Sequence, residues 1–87
     1  MIELEFEKVG DINTAFPYLC VYFKGEKEPF MDVGITGAGS IEYIFYPHPK
    51  NLILSSENWN AILLRAQIFL ETELSNKKFE DEWDASV

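Results

Sequence analysis

Along the first half of the chain, apolar and polar residues alternate with a period of two. Ile2, Leu4 and Phe6 fall on one side of an extended segment and Glu3, Glu5 and Glu7 on the other, so a strand with one core face and one wet face is predicted. Gly10, Asp11 and Asn13 mark a turn. After Pro17 the run Tyr18-Leu19-Cys20-Val21-Tyr22-Phe23 is apolar on both sides and rich in strand-forming residues, which predicts a central strand. Gly25-Glu26-Lys27-Glu28-Pro29 reads as a hairpin connection. Residues 30–36 give a third strand that points Met31, Val33 and Ile35 one way and Asp32 and Gly34 the other. The turn Gly37-Ala38-Gly39-Ser40 leads into a fourth strand, residues 41–46, which Pro47 and Pro49 end by removing ladder donors. Residues 52–54 form either a short fifth strand or the lead into a helix.

The period then changes from two to 3.6. Ser55 or Ser56 serves as N-cap, with Glu57 at the positive end of the helix dipole, and the helix is expected to run to about Leu74. At about 100° per residue, Ile62, Leu63, Ala66, Phe69 and Leu70 lie within about 80° of the line through Trp59, the stripe of a helix laid across a sheet. Ala61, Leu64 and Ile68 form a second, narrow seam on the opposite side. That seam is either a set of scattered exposed aliphatics, or covered by the chain end, where Phe79 and Trp83 sit among Glu80, Asp81, Glu82 and Asp84, or covered by a second copy of the chain. The fold class expected is α+β: a four- or five-stranded, mainly antiparallel meander with one long C-terminal helix on one face. Residues 1–76 would form the single domain, and 77–87 an acidic tail that packs on the helix or is partly disordered.

Composition narrows the function. A chain of 87 residues accommodates one domain, and 47% hydrophobic content with 15% aromatic content is too high for a disordered polymer. A lone cysteine, Cys20, rules out an intramolecular disulfide and a thiolate-rich zinc site, which points to a reducing compartment. With neither a cationic leader nor about 18 consecutive apolar residues, a cytoplasmic protein with no membrane partner is expected. The net charge is −8, and the excess sits at the ends: Glu3, Glu5, Glu7 and Asp11 oppose only Lys8, and six carboxylates in residues 71–84 oppose only Lys77 and Lys78. Such a surface repels phosphate backbones and attracts basic proteins.

Chemistry beyond charge is sparse. His48, the single histidine, lies between two prolines and reads as a solvated loop residue; Cys20, inside the most apolar run, reads as a buried structural thiol. No catalytic set is expected. Glu3, Glu5 and Glu7 recur at about 7 Å along a strand, too far apart for one cation, and the tail lacks the spacing of a calcium loop, so no metal or other cofactor is expected. Gly34-Ile35-Thr36-Gly37-Ala38-Gly39 has no following Gly-Lys-Ser/Thr and reads as a hairpin turn. Tyr43, Phe45 and Tyr46 on a strand are the residue types of an RNA-stacking sheet, yet the bordering lysines and arginines are missing and no nucleic-acid partner is expected.

The stretch Ile41-Glu42-Tyr43-Ile44-Phe45-Tyr46-Pro47 followed by a Trp59-bearing helix, in a small acidic chain without a catalytic set, resembles the acidic immunity proteins that bacteria encode beside polymorphic toxins. The resemblance covers the chain in outline and carries over no individual site residue. It implies a non-enzymatic inhibitor that covers a basic toxin. The contact residues expected from the charge pattern are Glu3, Glu5, Glu7 and the segment Phe79, Glu80, Asp81, Glu82, Trp83 and Asp84, with solubility alone as the competing role of both clusters. The alternative is a structural protein that forms a homodimer through Ala61, Leu64 and Ile68.

Overall fold

The chain folds as a four-stranded antiparallel meander backed by one helix, the α+β arrangement expected. The computed structural model describes residues 3–85, with side chains through residue 80; Ile2 and the side chains of Asp81, Glu82, Trp83 and Asp84 lie outside the described residues. The strands are β1 (Leu4–Val9), β2 (Tyr18–Phe23), β3 (Met31–Ile35) and β4 (Ile41–Phe45), hydrogen-bonded in chain order, and α1 is Ser56–Ala85. β1 and β4 are the edges and β2 and β3 the inner strands, so the run expected to be central from its apolarity on both sides, Tyr18–Phe23, is central.

Register decides which side chains share a face. Phe6 pairs with Val21, Val21 with Met31, and Met31 with Phe45, so these residues point together toward the helix. Glu7 pairs with Cys20, Cys20 with Asp32, and Asp32 with Ile44 on the other side. Val21, Met31, Val33 and Ile62 are fully buried, and Leu19, Phe30, Ala66 and Phe69 complete the core. Each side chain of that size contributes about 1.5–3 kcal/mol when wholly withdrawn from water. Gly25 and Gly39 have φ of 87° and 82°, the left-handed conformation that the β2–β3 and β3–β4 turns require. The Gly-rich stretch therefore closes a hairpin: Gly39 N–H donates to the Thr36 carbonyl at 2.9 Å, and a strand, not a helix, follows.

Of the two readings of residues 52–54 the lead into the helix holds, with Leu52 and Leu54 packed against the core. Two expectations are corrected. Leu63 is 39% exposed, because the buried line runs through Asn58, Ile62, Ala66, Phe69 and Glu73, turned by about 60° from Trp59. Trp59 lies at the margin of that line, against Tyr43 and Phe45 of the edge strand β4, with ring centroids 5.3 and 6.4 Å away. Finally, the helix passes Leu74 and continues to Ala85, so the expected boundary at residue 76 falls inside it. Ser75 and Asn76 are only weak helix formers, costing a few tenths of a kcal/mol each, and no glycine or proline follows to stop propagation. Phe79 is thus part of α1 and 67% exposed, not folded back over the seam.

A 30-residue helix is about 45 Å long, whereas strands of five or six residues span about 17–20 Å. The molecule is accordingly elongated, 51 × 24 × 22 Å. Residues buried on α1 end at Glu73, which Lys8 of β1 reaches at 3.1 Å, and the helix beyond them overhangs the sheet. No helix among the described residues is long and apolar enough to cross a membrane.

Candidate functional site

The helix covers one face of the sheet and leaves the other open. On that open face β1 contributes Glu5 and Glu7, β2 contributes Tyr18, Cys20 and Tyr22, β3 contributes Asp32 and Gly34, and β4 contributes Glu42 and Ile44. The three N-terminal glutamates are exposed as expected, and each is engaged with β2 or the turn beyond it. Glu3 pairs with Lys24 at 2.7 Å, Glu5 accepts the Gly25 N–H at 3.0 Å, and Glu7 accepts the Tyr22 hydroxyl at 3.1 Å. These contacts fix the carboxylates in a row along the edge and leave them in water, where ion pairs of this kind contribute little to stability. Among the described residues of this face, Lys24 is the one cation.

At the centre of the face lies a group that sequence reasoning missed. Asp32 is 9% exposed; the Tyr46 hydroxyl donates to its Oδ2, while its buried Oδ1 meets no hydrogen-bond partner. The bond to Asp32, and then burial, pushes Tyr46 up to about 12. Burial pushes the adjacent Cys20 thiol up to about 12 as well, and the neighbouring Asp32 carboxylate adds to the push. A thiol held neutral in this way is a poor nucleophile at neutral pH. The signal available in the sequence was the phase of Asp32, a carboxylate in the middle of an apolar strand with no charge beside it. What satisfies it, Tyr46, lies 14 residues on, across a hairpin.

Gly34 has a packing role. A Cβ there would stand 3.2 Å from Tyr18 Cε1 and 3.4 Å from Glu42 Cγ, so its absence lets the tyrosine ring lie against β3 beside the Glu42 carboxylate. Tyr43 and Phe45 pack toward Trp59, whereas Tyr46 turns to Asp32, so the three aromatics read together in the sequence do not share a face.

Beside the open face, the β2–β3 hairpin and residues 46–49 enclose a cleft of about 490 Å³. It is lined by Phe23, Glu26, Glu28, Pro29, Phe30, Tyr46, Pro47, His48 and Pro49. Phe23 and Phe30 are stacked, with centroids 4.2 Å apart and planes 19° from parallel. His48 is an exposed loop residue, its Nδ1 2.8 Å from the Lys50 carbonyl oxygen.

On the helix, Leu64 is 63% and Ile68 50% exposed, and Ala61 is exposed beside them. Ile68 borders a shallow groove with Phe6, over whose ring the Arg65 guanidinium sits at 4.5 Å. Glu80 is exposed on the overhang. The N-terminal glutamates and the Phe79–Glu80 segment belong to different parts of the molecule, the first to the β1 edge of the sheet and the second to the helix past its last buried turn. Among the described residues no three histidine, cysteine or carboxylate side chains are grouped to hold a metal ion. Comparison of the chain with known protein families, characterised proteins and solved structures found no match in any of the three.

Proposed function

We propose that the chain is a non-enzymatic protein-binding module, immunity-like or inhibitor-like, which acts in a reducing cytoplasm and lays the open face of its sheet over a basic surface of a partner protein. The observation that carries this reading is the makeup of that face. The held carboxylates of Glu3, Glu5 and Glu7, with Glu42 on β4, surround the tyrosines Tyr18, Tyr22 and Tyr46, and the one lysine among the described residues of this face, Lys24, is already paired with Glu3. Carboxylates at the rim steer a cationic partner and raise the association rate, while tyrosines give large, stiff contact area at low entropic cost. The acidic overhang of α1 adds to the same field. Its last turn holds no basic residue, so carboxylates and the negative end of the helix dipole act together.

The test has two steps. A partner is captured at low salt and purified, and its affinity is then measured at two ionic strengths for the wild type, for Glu5→Lys/Glu7→Lys/Glu42→Lys, and for a variant reversing residues 80–84. The open-face variant should bind on the order of 100-fold more weakly and lose most of the salt dependence. An unchanged affinity in both variants, with thermal unfolding unchanged, would overturn the electrostatic mechanism.

A second reading is favoured by a different observation. Ala61, Leu64 and Ile68 lie within about 60° of one line on the helix, and Phe79 falls on the same line. The exposed apolar seam of Ala61, Leu64 and Ile68 suits a second copy of the helix, which makes a homodimeric structural protein the alternative.

A further inference from the structure

The open face is small, four strands at about 4.8 Å spacing and about 18 Å length giving roughly 350 Å² in projection. A partner seated there reaches the surface beside it, and Tyr46, whose hydroxyl bonds Asp32 on the open face, also lines the cleft between the β2–β3 hairpin and residues 46–49.

The chemistry of that cleft is specific. Its volume of about 490 Å³ is of the size that takes a small ligand or an inserted side chain. Its apolar wall is aromatic, the stacked pair of Phe23 and buried Phe30 together with the Tyr46 ring. Its ionised lining groups are the carboxylates of Glu26 and Glu28; no lysine or arginine lines it, and Lys27, between them in the chain, is not part of the lining. Carboxylates exclude an anion, and a purely apolar guest would strip water from them without replacing it. A guest with a planar cation satisfies both halves.

We propose that this cleft receives an arginine side chain of the basic partner, its guanidinium stacked on Tyr46 and Phe23, which buried Phe30 backs, and paired with Glu26 and Glu28. Arginine fits better than lysine because its planar, weakly hydrated cation stacks on rings and forks onto carboxylates, whereas an ammonium keeps its water. The aromatic wall is built before the guest arrives. The Tyr46 hydroxyl is tied to Asp32, its N–H donates to the Phe30 carbonyl at 3.0 Å, and the Phe30 N–H donates to the Val21 carbonyl at the same distance. The two prolines flanking His48 restrict the backbone on that side, so the aromatic wall loses little freedom on binding, while the exposed Glu26 and Glu28 close on the guest. This assignment rests on the protein-binding reading and names the side chain that would anchor it.

The experiment titrates isotope-labelled protein, followed by NMR, with three blocked amino acids: N-acetyl-arginine amide, its uncharged isostere N-acetyl-citrulline amide, and the smaller cation N-acetyl-lysine amide. Saturable shifts confined to residues 26–30 and 46–48 are expected with arginine, at least several-fold weaker with lysine, and absent with uncharged citrulline. Glu26→Gln/Glu28→Gln should abolish the arginine shifts and weaken the purified partner about tenfold. Arginine shifts that do not saturate, that citrulline reproduces, or that map to Glu5, Glu7 and Glu42 overturn the assignment. The two readings fail separately. If the cleft variant binds the partner as wild type does while the open-face variant does not, the cleft assignment falls and the protein-binding reading stands. If arginine fills the cleft and no basic partner is found, the protein-binding reading falls and the cleft stands.

Discussion

Asp32, Tyr46 and Cys20 form a polar cluster in the middle of the sheet, and their protonation is tied to folding. Cys20 moves from 9.0 to about 12 and Tyr46 from 10.0 to about 12. Both groups are neutral when protonated and both are raised in the folded state. Their contribution is therefore complete below the unfolded values and is lost as pH climbs through the folded ones, because the unfolded chain ionises first. Urea midpoints should be flat with respect to these groups up to about pH 9 and fall between pH 9 and 12. Tyr46→Phe should remove the tyrosine's share of that fall, and at pH 8 Cys20 should react with a thiol reagent only as fast as the protein unfolds. Ready labelling of Cys20 in folded protein would show that the cluster is open. The same cluster marks where residue-level reading stopped: burial of Cys20 followed from its apolar neighbours, whereas a buried Asp32 is intelligible only once a hairpin brings Tyr46 to it.

At the scale of elements, the beginnings of strands and helix were legible and the end of the helix was not. Ser55 caps α1: its Oγ accepts the Asn58 N–H at 3.0 Å and donates to Asn58 Oδ1 at 2.9 Å, and the Ser55 N–H faces the same oxygen at 3.4 Å. This is a capping box closed by asparagine in place of the usual glutamate or glutamine. Because Asn58 is 6% exposed, loss of the serine hydroxyl takes a partner from a buried amide. Ser55→Ala should destabilise the fold by about 1–2 kcal/mol in chemical unfolding. A change below about 0.3 kcal/mol would mean that the box is not closed in solution. Helix ends without glycine or proline leave no such mark in the sequence, which is why α1 outruns the boundary expected at Leu74.

Over the whole molecule, two uncovered surfaces carry the two proposed readings. The open face is acidic and tyrosine-lined; the helix seam is aliphatic, with Leu64 and Ile68 more exposed than any residue of the core. Light scattering separates them. The protein-binding reading expects a mass near 10.1 kDa at working concentration and no effect of Leu64→Glu. A doubled mass that returns to the monomer value in Leu64→Glu would establish the seam dimer in its place. Charge alone does not decide, since a net charge of −8 favours solubility and disfavours close approach of two copies, yet a seam of leucine, isoleucine and alanine is short enough to pair between acidic flanks.

Period-two alternation, the phase of Met31, Val33 and Ile35, the hairpin glycines and the serine cap are local properties of the chain, and they determined the four strands, the helix start and the exposure of Glu3, Glu5 and Glu7. Local patterns specify which side of an element is apolar because each residue's side is set by its own backbone geometry. Only the tertiary structure decided that Glu42 and three tyrosines join those glutamates on one face, that Asp32 is buried beneath Tyr46, that Lys8 reaches Glu73 across 65 residues, and that Phe23 and Phe30 wall a cleft with Glu26 and Glu28. Those relations depend on register and on the line along which the helix crosses the sheet, and both are fixed by packing between distant segments.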